Sequence, residues 1–219
     1  MKNISNRLLT SLFLLIIIIF SFSNNKILIL LIFFVSFVSL VEINSIFKKI
    51  YKNSNSFRLI CFTISLLYMV YFSFVIILFL MNSFDIRKFT IIFLMLICVS
   101  TDVGGFVFGR LIGGKKLTSI SPNKTYAGVV GSLLLSLALG YVYFITQNNL
   151  ILFNVNLFVL IIIVSLVSQI GDLFISFLKR KAKIKDTGTL LPGHGGILDR
   201  IDGILLALPF SIILIIITS

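Results

Sequence analysis

The chain has 219 residues, of which 58% are hydrophobic and 12% charged, about half the roughly 25% charge of a soluble domain. A water-soluble core cannot account for so much apolar surface, which excludes a soluble globular protein and makes this an all-α integral membrane protein. A formal charge of +12 would suggest nucleic acid on a soluble protein, but here the cations lie in short segments between apolar runs. They indicate topology and an anionic substrate, and no nucleic-acid partner is expected.

Apolar runs occur at 8–23, 27–47, 59–81, 89–109, 126–146, 155–175 and 204–218. Most approach the roughly 20 residues a helix needs to cross a bilayer core of about 30 Å, so about seven transmembrane helices are predicted, the first and last of them short. Numbering the intervening segments alternately places sixteen of the nineteen Lys and Arg residues on one side and only Lys26, Arg87 and Lys88 on the other. By the positive-inside rule the N-terminus is cytoplasmic and the C-terminus outside. Lys2 and Arg7 ahead of an apolar run resemble a signal peptide, but Asn24, Asn25 and Lys26 follow with no small-residue cleavage pattern, so the run is read as a retained span. Cys61 and Cys98 lie in different apolar runs and read as lipid-facing or packing residues. With no internal repeat or linker, residues 1–219 are taken as one polytopic domain: scaffold spans over 1–100, the polar motifs over 101–203 and a last span over 204–219.

The polar segments differ in character. Residues 50–57 are basic and rich in Ser and Asn, as expected of a topological anchor at anionic lipid heads. Glu42, in the second span, lies close to Asn44 and the cytoplasmic end and is read as structural. Asp102 opens TDVGGFVFGRLIGGKK late in the fourth span. A charge at that depth costs about 2.5–3.5 kcal/mol on insertion scales, so it marks a partner or a water-filled cavity. Gly104, Gly105 and Gly109 beside it would also let helices pack closely. SPNKTYAG, at 121–128, combines Pro122 for a turn, the hydroxyls of Ser121 and Thr125, and the cation Lys124 just before a helix start. Such a start presents unpaired N–H groups that suit phosphate oxygens, although an ordinary capped helix looks the same.

The densest constellation runs from Gly171 to Asp202. Asp172 ends the sixth span, followed by Lys179, Arg180, Lys181, Lys183 and Lys185, the glycine-rich 192–196, and then Asp199, Arg200 and Asp202. A helix from Ile197 onward would project Asp199 and Asp202 from one face. Carboxylates that can hold a hard divalent cation, among a surplus of cations that can neutralise phosphate, are what a metal–phosphate site requires. The glycines let backbone approach a ligand closely. His194, with no second His or Cys nearby, is read as a shaping or hydrogen-bonding residue.

The stretch SFLKRKAKIKDTGTLLPGHGGILDRID, 176–202, resembles the signature of the phosphatidate cytidylyltransferase (CDP-diacylglycerol synthase) family. The order of Ser176, Lys179, Arg180, Lys185, Asp186, Gly188, Pro192, His194, Gly195, Gly196, Asp199, Arg200 and Asp202 is complete. SPNKTYAG and TDVGGFVFGR resemble its second motif and its intramembrane acidic segment, with Gly105 and Phe106 standing where an Ala-Tyr pair is common. The resemblance covers about the second half of the chain, which is short for the family. It implies transfer of CMP from CTP to phosphatidate at the cytoplasmic interface, giving CDP-diacylglycerol and pyrophosphate. It further implies that Asp172, Asp199 and Asp202 hold Mg2+, with a monovalent partner such as K+ also allowed. Ser121, Lys124, Thr125, Arg180, Lys185, His194, Gly195, Gly196 and Arg200 would line the nucleotide and phosphate groups, and Asp186 would orient a basic side chain as a catalytic partner of Lys185. Expected partners are CTP, phosphatidate and membrane lipid, with a homodimer one allowed assembly. A CTP-dependent lipid kinase of the dolichol or phytol type is the neighbouring alternative. A transporter is the more distant one, predicting broken helices and repeats about a midplane site.

Overall fold

A computed structural model describes the backbone of residues 2–81, 83–118, 121, 124–147, 155–191 and 195–218. Pro122, Pro192 and His194, which the sequence singles out, lie outside the described residues. The described residues form, in order, the helices α1 (Lys2–Ser23), α2 (Asn25–Ile50), α3 (Asn55–Met81), α4 (Phe84–Leu111), α5 (Tyr126–Thr146), α6 (Leu157–Lys181) and α7 (Leu198–Thr218). Among the described residues the only extended pairings are isolated bridges, Lys116 with Thr125 and Leu191 with Gly195. Six of the helices, α2 to α7, are long and apolar enough to cross a bilayer, while α1 contributes a shorter apolar stretch, Leu12–Ser23. The chain is an all-α, multi-pass integral membrane protein.

Helix α5 occupies the span predicted for it, whereas α6 runs on to Lys181 and α7 starts at Leu198 rather than 204. The last span is therefore not short but 21 residues long. Hydropathy discards the charged turns at helix ends, but backbone hydrogen bonding continues through them because each N–H and C=O needs a partner. Side chains mark the starts. Asn24 accepts from the Lys26 N–H at 3.0 Å, Thr125 from Gly128 at 3.1 Å and Asn156 from Phe158 at 3.0 Å, each satisfying a donor the helix leaves open. Helix α6 stops in a Schellman turn: Ile184 N–H reaches the Lys179 carbonyl and Lys183 N–H the Arg180 carbonyl, both at 3.0 Å. Lys183 takes the left-handed conformation there, φ 56°, which such a turn demands and which glycine usually supplies.

The fold divides into two compact units, Met1–Ile77 with Leu178–Ile201, and Leu78–Phe177 with Asp202–Ser219. In the first, the Ser36 and Ser73 hydroxyls meet at 2.7 Å between α2 and α3. The Tyr51 ring stacks on Phe57 and Phe47 with Lys181 Nζ 5.7 Å above it, so the α2–α3 turn and the end of α6 form one aromatic and basic surface.

In the second unit α4 and α5 pack through small residues. A Cβ on Gly104 would lie 2.6 Å from the Gly131 carbonyl oxygen, and one on Gly105 would lie 2.8 Å from the Ser132 hydroxyl. Because lipid is as apolar as leucine, helices in a membrane associate by such close contact and by hydrogen bonds rather than by hydrophobic burial. The hydrogen bonds are present: Ser132 donates to the Thr101 carbonyl and Thr101 to the Ser165 hydroxyl, each at 2.8 Å.

Candidate active site

In the second unit, acids from three helices and one cation come together. Asp172 projects from α6, Asp202 from α7 and Asp102 from α4, while Lys124 stands just ahead of α5. The Lys124 ammonium is ion-paired with Asp172 Oδ2, and the Ser176 hydroxyl lies 3.3 Å from Asp172 Oδ1. Asp202 accepts the Gly203 N–H at 2.9 Å, and the carboxyl groups that act on it are those of Asp172 and, more weakly, Asp102. Asp202 is buried, Asp172 and Lys124 are partly open, and Asp102 is exposed on the surface of α4. The acids are close because α6 and α7 are close: a Cβ on Gly171 would lie 2.8 Å from the Asp202 carbonyl oxygen, and one on Gly203 would run into the Ser168 hydroxyl.

Two carboxylates facing one another repel unless a proton or a cation lies between them. The donors are hard oxygens, which suits Mg2+ or Ca2+ rather than a thiophilic metal. Among the described residues no three His, Cys, Asp or Glu side chains close into a complete metal cage. Asp172 and Asp202 offer oxygen donors of the kind that Mg2+ uses, an ion that takes one or two carboxylates and fills its remaining positions with water and phosphate oxygens.

The first unit holds the signature loop. Asp199, in the first turn of α7, accepts from Lys179 Nζ at 2.7 Å through Oδ1, and from the Thr187 and Gly196 N–H groups at 2.8 and 3.1 Å through Oδ2. Asp199 and Asp202 share one helix, as the sequence suggests, but they differ in partners: Lys179, Thr187 and Gly196 bond to Asp199, and the Gly203 N–H bonds to Asp202. Gly195 has φ 84° and closes the bridge to Leu191. A side chain there would also lie 2.8 Å from Asp199 Oδ2 and 3.1 Å from Asp186 Cβ, so both conformation and space call for glycine. Lys185, Asp186, Arg180 and Arg200 are exposed around this loop, and Thr125 is buried as the α5 cap beside the half-buried Ser121.

From the sequence alone, Lys179 counts only among the cations of the segment and Thr187 is given no role. Lys179 pairs with Asp199, and Thr187 donates its hydroxyl to Glu42 at 2.7 Å. Glu42, read as structural, is buried at 6% exposure and receives the start of α7. The available signal was a lone acid deep in an apolar helix, which needs buried donors. Which donors supply them was invisible, since Glu42 and Thr187 lie 145 positions apart.

A model of the Cytidylyltransferase family matches residues 2–218, and the chain belongs to that family. Phosphatidate cytidylyltransferases of Staphylococcus saprophyticus and Staphylococcus haemolyticus are 46% and 44% identical over 130 residues, and that of Staphylococcus aureus (strain COL) 44% over 132 residues. Each alignment takes in 58% of this chain and 48% of the relative. The chain spans about half the length of the curated relatives it matches.

Proposed function

We propose that this chain transfers CMP from CTP to phosphatidate in a bacterial cytoplasmic membrane, giving CDP-diacylglycerol and pyrophosphate. The observation that carries the reading is the pairing of Asp172 with Asp202 beside Lys124, in a family whose similar members are phosphatidate cytidylyltransferases. A phosphate oxygen of the lipid attacks the α-phosphorus of CTP, the bond from that phosphorus to the oxygen bridging to the β-phosphate breaks, and pyrophosphate leaves with the electron pair. The lipid phosphate is already anionic near neutral pH, so no dedicated general base is required. The barrier lies in bringing two polyanions together, and positioning and charge neutralisation lower it.

Mg2+ is the proposed cofactor, with K+ an allowed companion; Asp172 and Asp202 would hold it, and it would neutralise phosphate oxygens. Lys124, ion-paired with Asp172, would exchange that acid for a phosphate. Arg180, Lys185 and Arg200, all exposed in the signature segment, supply further donors to triphosphate or lipid phosphate. Asp186 fixes the orientation of its basic neighbours. Asp199 enters through the loop that it gathers.

The test is conversion of labelled CTP by the purified protein in detergent–phosphatidate micelles, with and without Mg2+. CDP-lipid and pyrophosphate that require Mg2+ are the expected products. Phosphorylated lipid and CDP from a lipid alcohol would replace this reading with the lipid-kinase one.

A further inference from the structure

We propose that Glu42 is a positioning residue that sets the signature loop and the start of α7; its link to substrate rests on the reaction proposed above. The carboxylate is buried on α2. Its Oε1 accepts the Ile197 N–H at 3.0 Å, and its Oε2 accepts the Leu198 N–H at 2.9 Å and the Thr187 hydroxyl at 2.7 Å. The first N–H groups of a helix have no partner within it, and their dipoles favour an anion. In many proteins a bound phosphate takes that place. Here the chain's own carboxylate fills it, which leaves phosphate to the exposed cations of the segment.

The loop is shaped around this carboxylate. A Cβ on Gly188 would lie 2.7 Å from Glu42 Oε1, and one on Gly196 would overlap both the Glu42 carboxylate and the Thr187 hydroxyl. Thr187 ties two acids at once. Its hydroxyl lies 2.7 Å from Glu42 Oε2 and 3.1 Å from Asp199 Oδ2. One proton cannot serve both, so it goes to the nearer oxygen, and the Thr187 N–H serves Asp199 at 2.8 Å. The segment that follows Lys185 and Asp186 is therefore pinned at Thr187 and again at Gly196 to Leu198. Loss of either pin would let those two functional side chains wander while the spans stay packed.

The experiment compares Glu42→Gln, Thr187→Val and Thr187→Ser in the full chain, by KM and kcat for CTP, trypsin cleavage after Lys185 and thermal unfolding in detergent. Glu42→Gln and Thr187→Val should each raise the KM for CTP and speed cleavage at Lys185 by about tenfold, the equivalent of one charge-assisted hydrogen bond. Thr187→Ser keeps the hydroxyl and should restore both readouts. The proposal is overturned if KM and cleavage are unchanged in both damaging variants, or if only the amount of folded enzyme falls. If Glu42→Gln does not fold, the Thr187 pair decides by the same criteria. If the wild type makes no CDP-lipid, the proposed reaction falls, and the cleavage rates alone still decide whether Glu42 holds the loop.

Discussion

Lys179 Nζ lies 2.7 Å from Asp199 Oδ1, with the two side chains 15% and 6% exposed. The other oxygen of that carboxylate carries the Thr187 and Gly196 N–H groups, so one acid holds both a cation and two points of the signature segment. Removing it strands a partly buried ammonium and two donors. Asp199→Ala is expected to cost about 3–5 kcal/mol of stability, as when one partner of a buried pair is deleted. Thermal or denaturant unfolding in a fixed detergent checks this. Lys179→Met should recover part of the loss in the Asp199→Ala background, because it removes the stranded charge.

The acids of the second unit should behave differently. Asp202→Asn removes one of two neighbouring carboxylates and relieves their repulsion, so stability should hold or rise. Asp172→Asn does the same but also gives up the partly open Lys124 pair, worth at most about 1 kcal/mol, so its stability should change little. The Mg2+ concentration for half-maximal CDP-lipid formation should rise by at least about tenfold, the smaller of the effects expected when the surroundings of a metal ligand are disturbed. Asp199→Asn separates the roles of the three acids. A lowered unfolding midpoint with little change in Mg2+ requirement would place Asp199 in the loop, and a raised requirement would make it a metal ligand.

Packing of α4 on α5 gives a third prediction. Gly104→Ala sets a methyl group 2.6 Å from the Gly131 carbonyl oxygen, and backbone cannot step aside as a flexible side chain can. Overpacking of this kind costs about 1–3 kcal/mol. Gly114→Ala serves as the comparison: its φ is 92° and nothing lies within 4 Å, so it carries only the backbone cost of about 1–2 kcal/mol. Unfolding of the two variants under identical detergent conditions gives the measurement.

The end of α6 gives a fourth. Lys183 holds φ 56° in a completed Schellman turn. Lys183→Gly removes the clash of Cβ with the backbone, offset by the greater freedom of glycine in the unfolded chain, for a net gain of up to about 1 kcal/mol. A higher unfolding midpoint is the expected outcome, and a lower one would mean that the lysine side chain contributes more than its backbone conformation costs.

Several of these features were legible before any coordinates. Long apolar runs imply helices because a bilayer offers no other partner for backbone polar groups, and α5 lies at the predicted positions. Helix ends were less legible. Leu198 begins α7 in a stretch of mixed polarity, where hydropathy loses its signal but backbone pairing does not. Asp172 and Asp202 stand out in the sequence as carboxylates among a surplus of cations, and the structure brings them near one another. The pairing of Asp172 with Lys124 depends on the segment ahead of α5, which lies far from Asp172 in the chain.

Composition and spacing by themselves determined the solvent of this protein, the presence of its spans and the segments in which chemistry can occur, because the cost of placing charge in hydrocarbon acts on each residue independently of the fold. Only tertiary structure decided how the acids divide. Asp199 and Glu42 close on the loop through Lys179, Thr187 and the first N–H groups of α7, while Asp172 and Asp202 face each other with Lys124 on Asp172. Identical carboxylates differ in their partners by what lies within about 3 Å of each, the reach of a hydrogen bond, and that neighbourhood is assembled from residues distant along the chain.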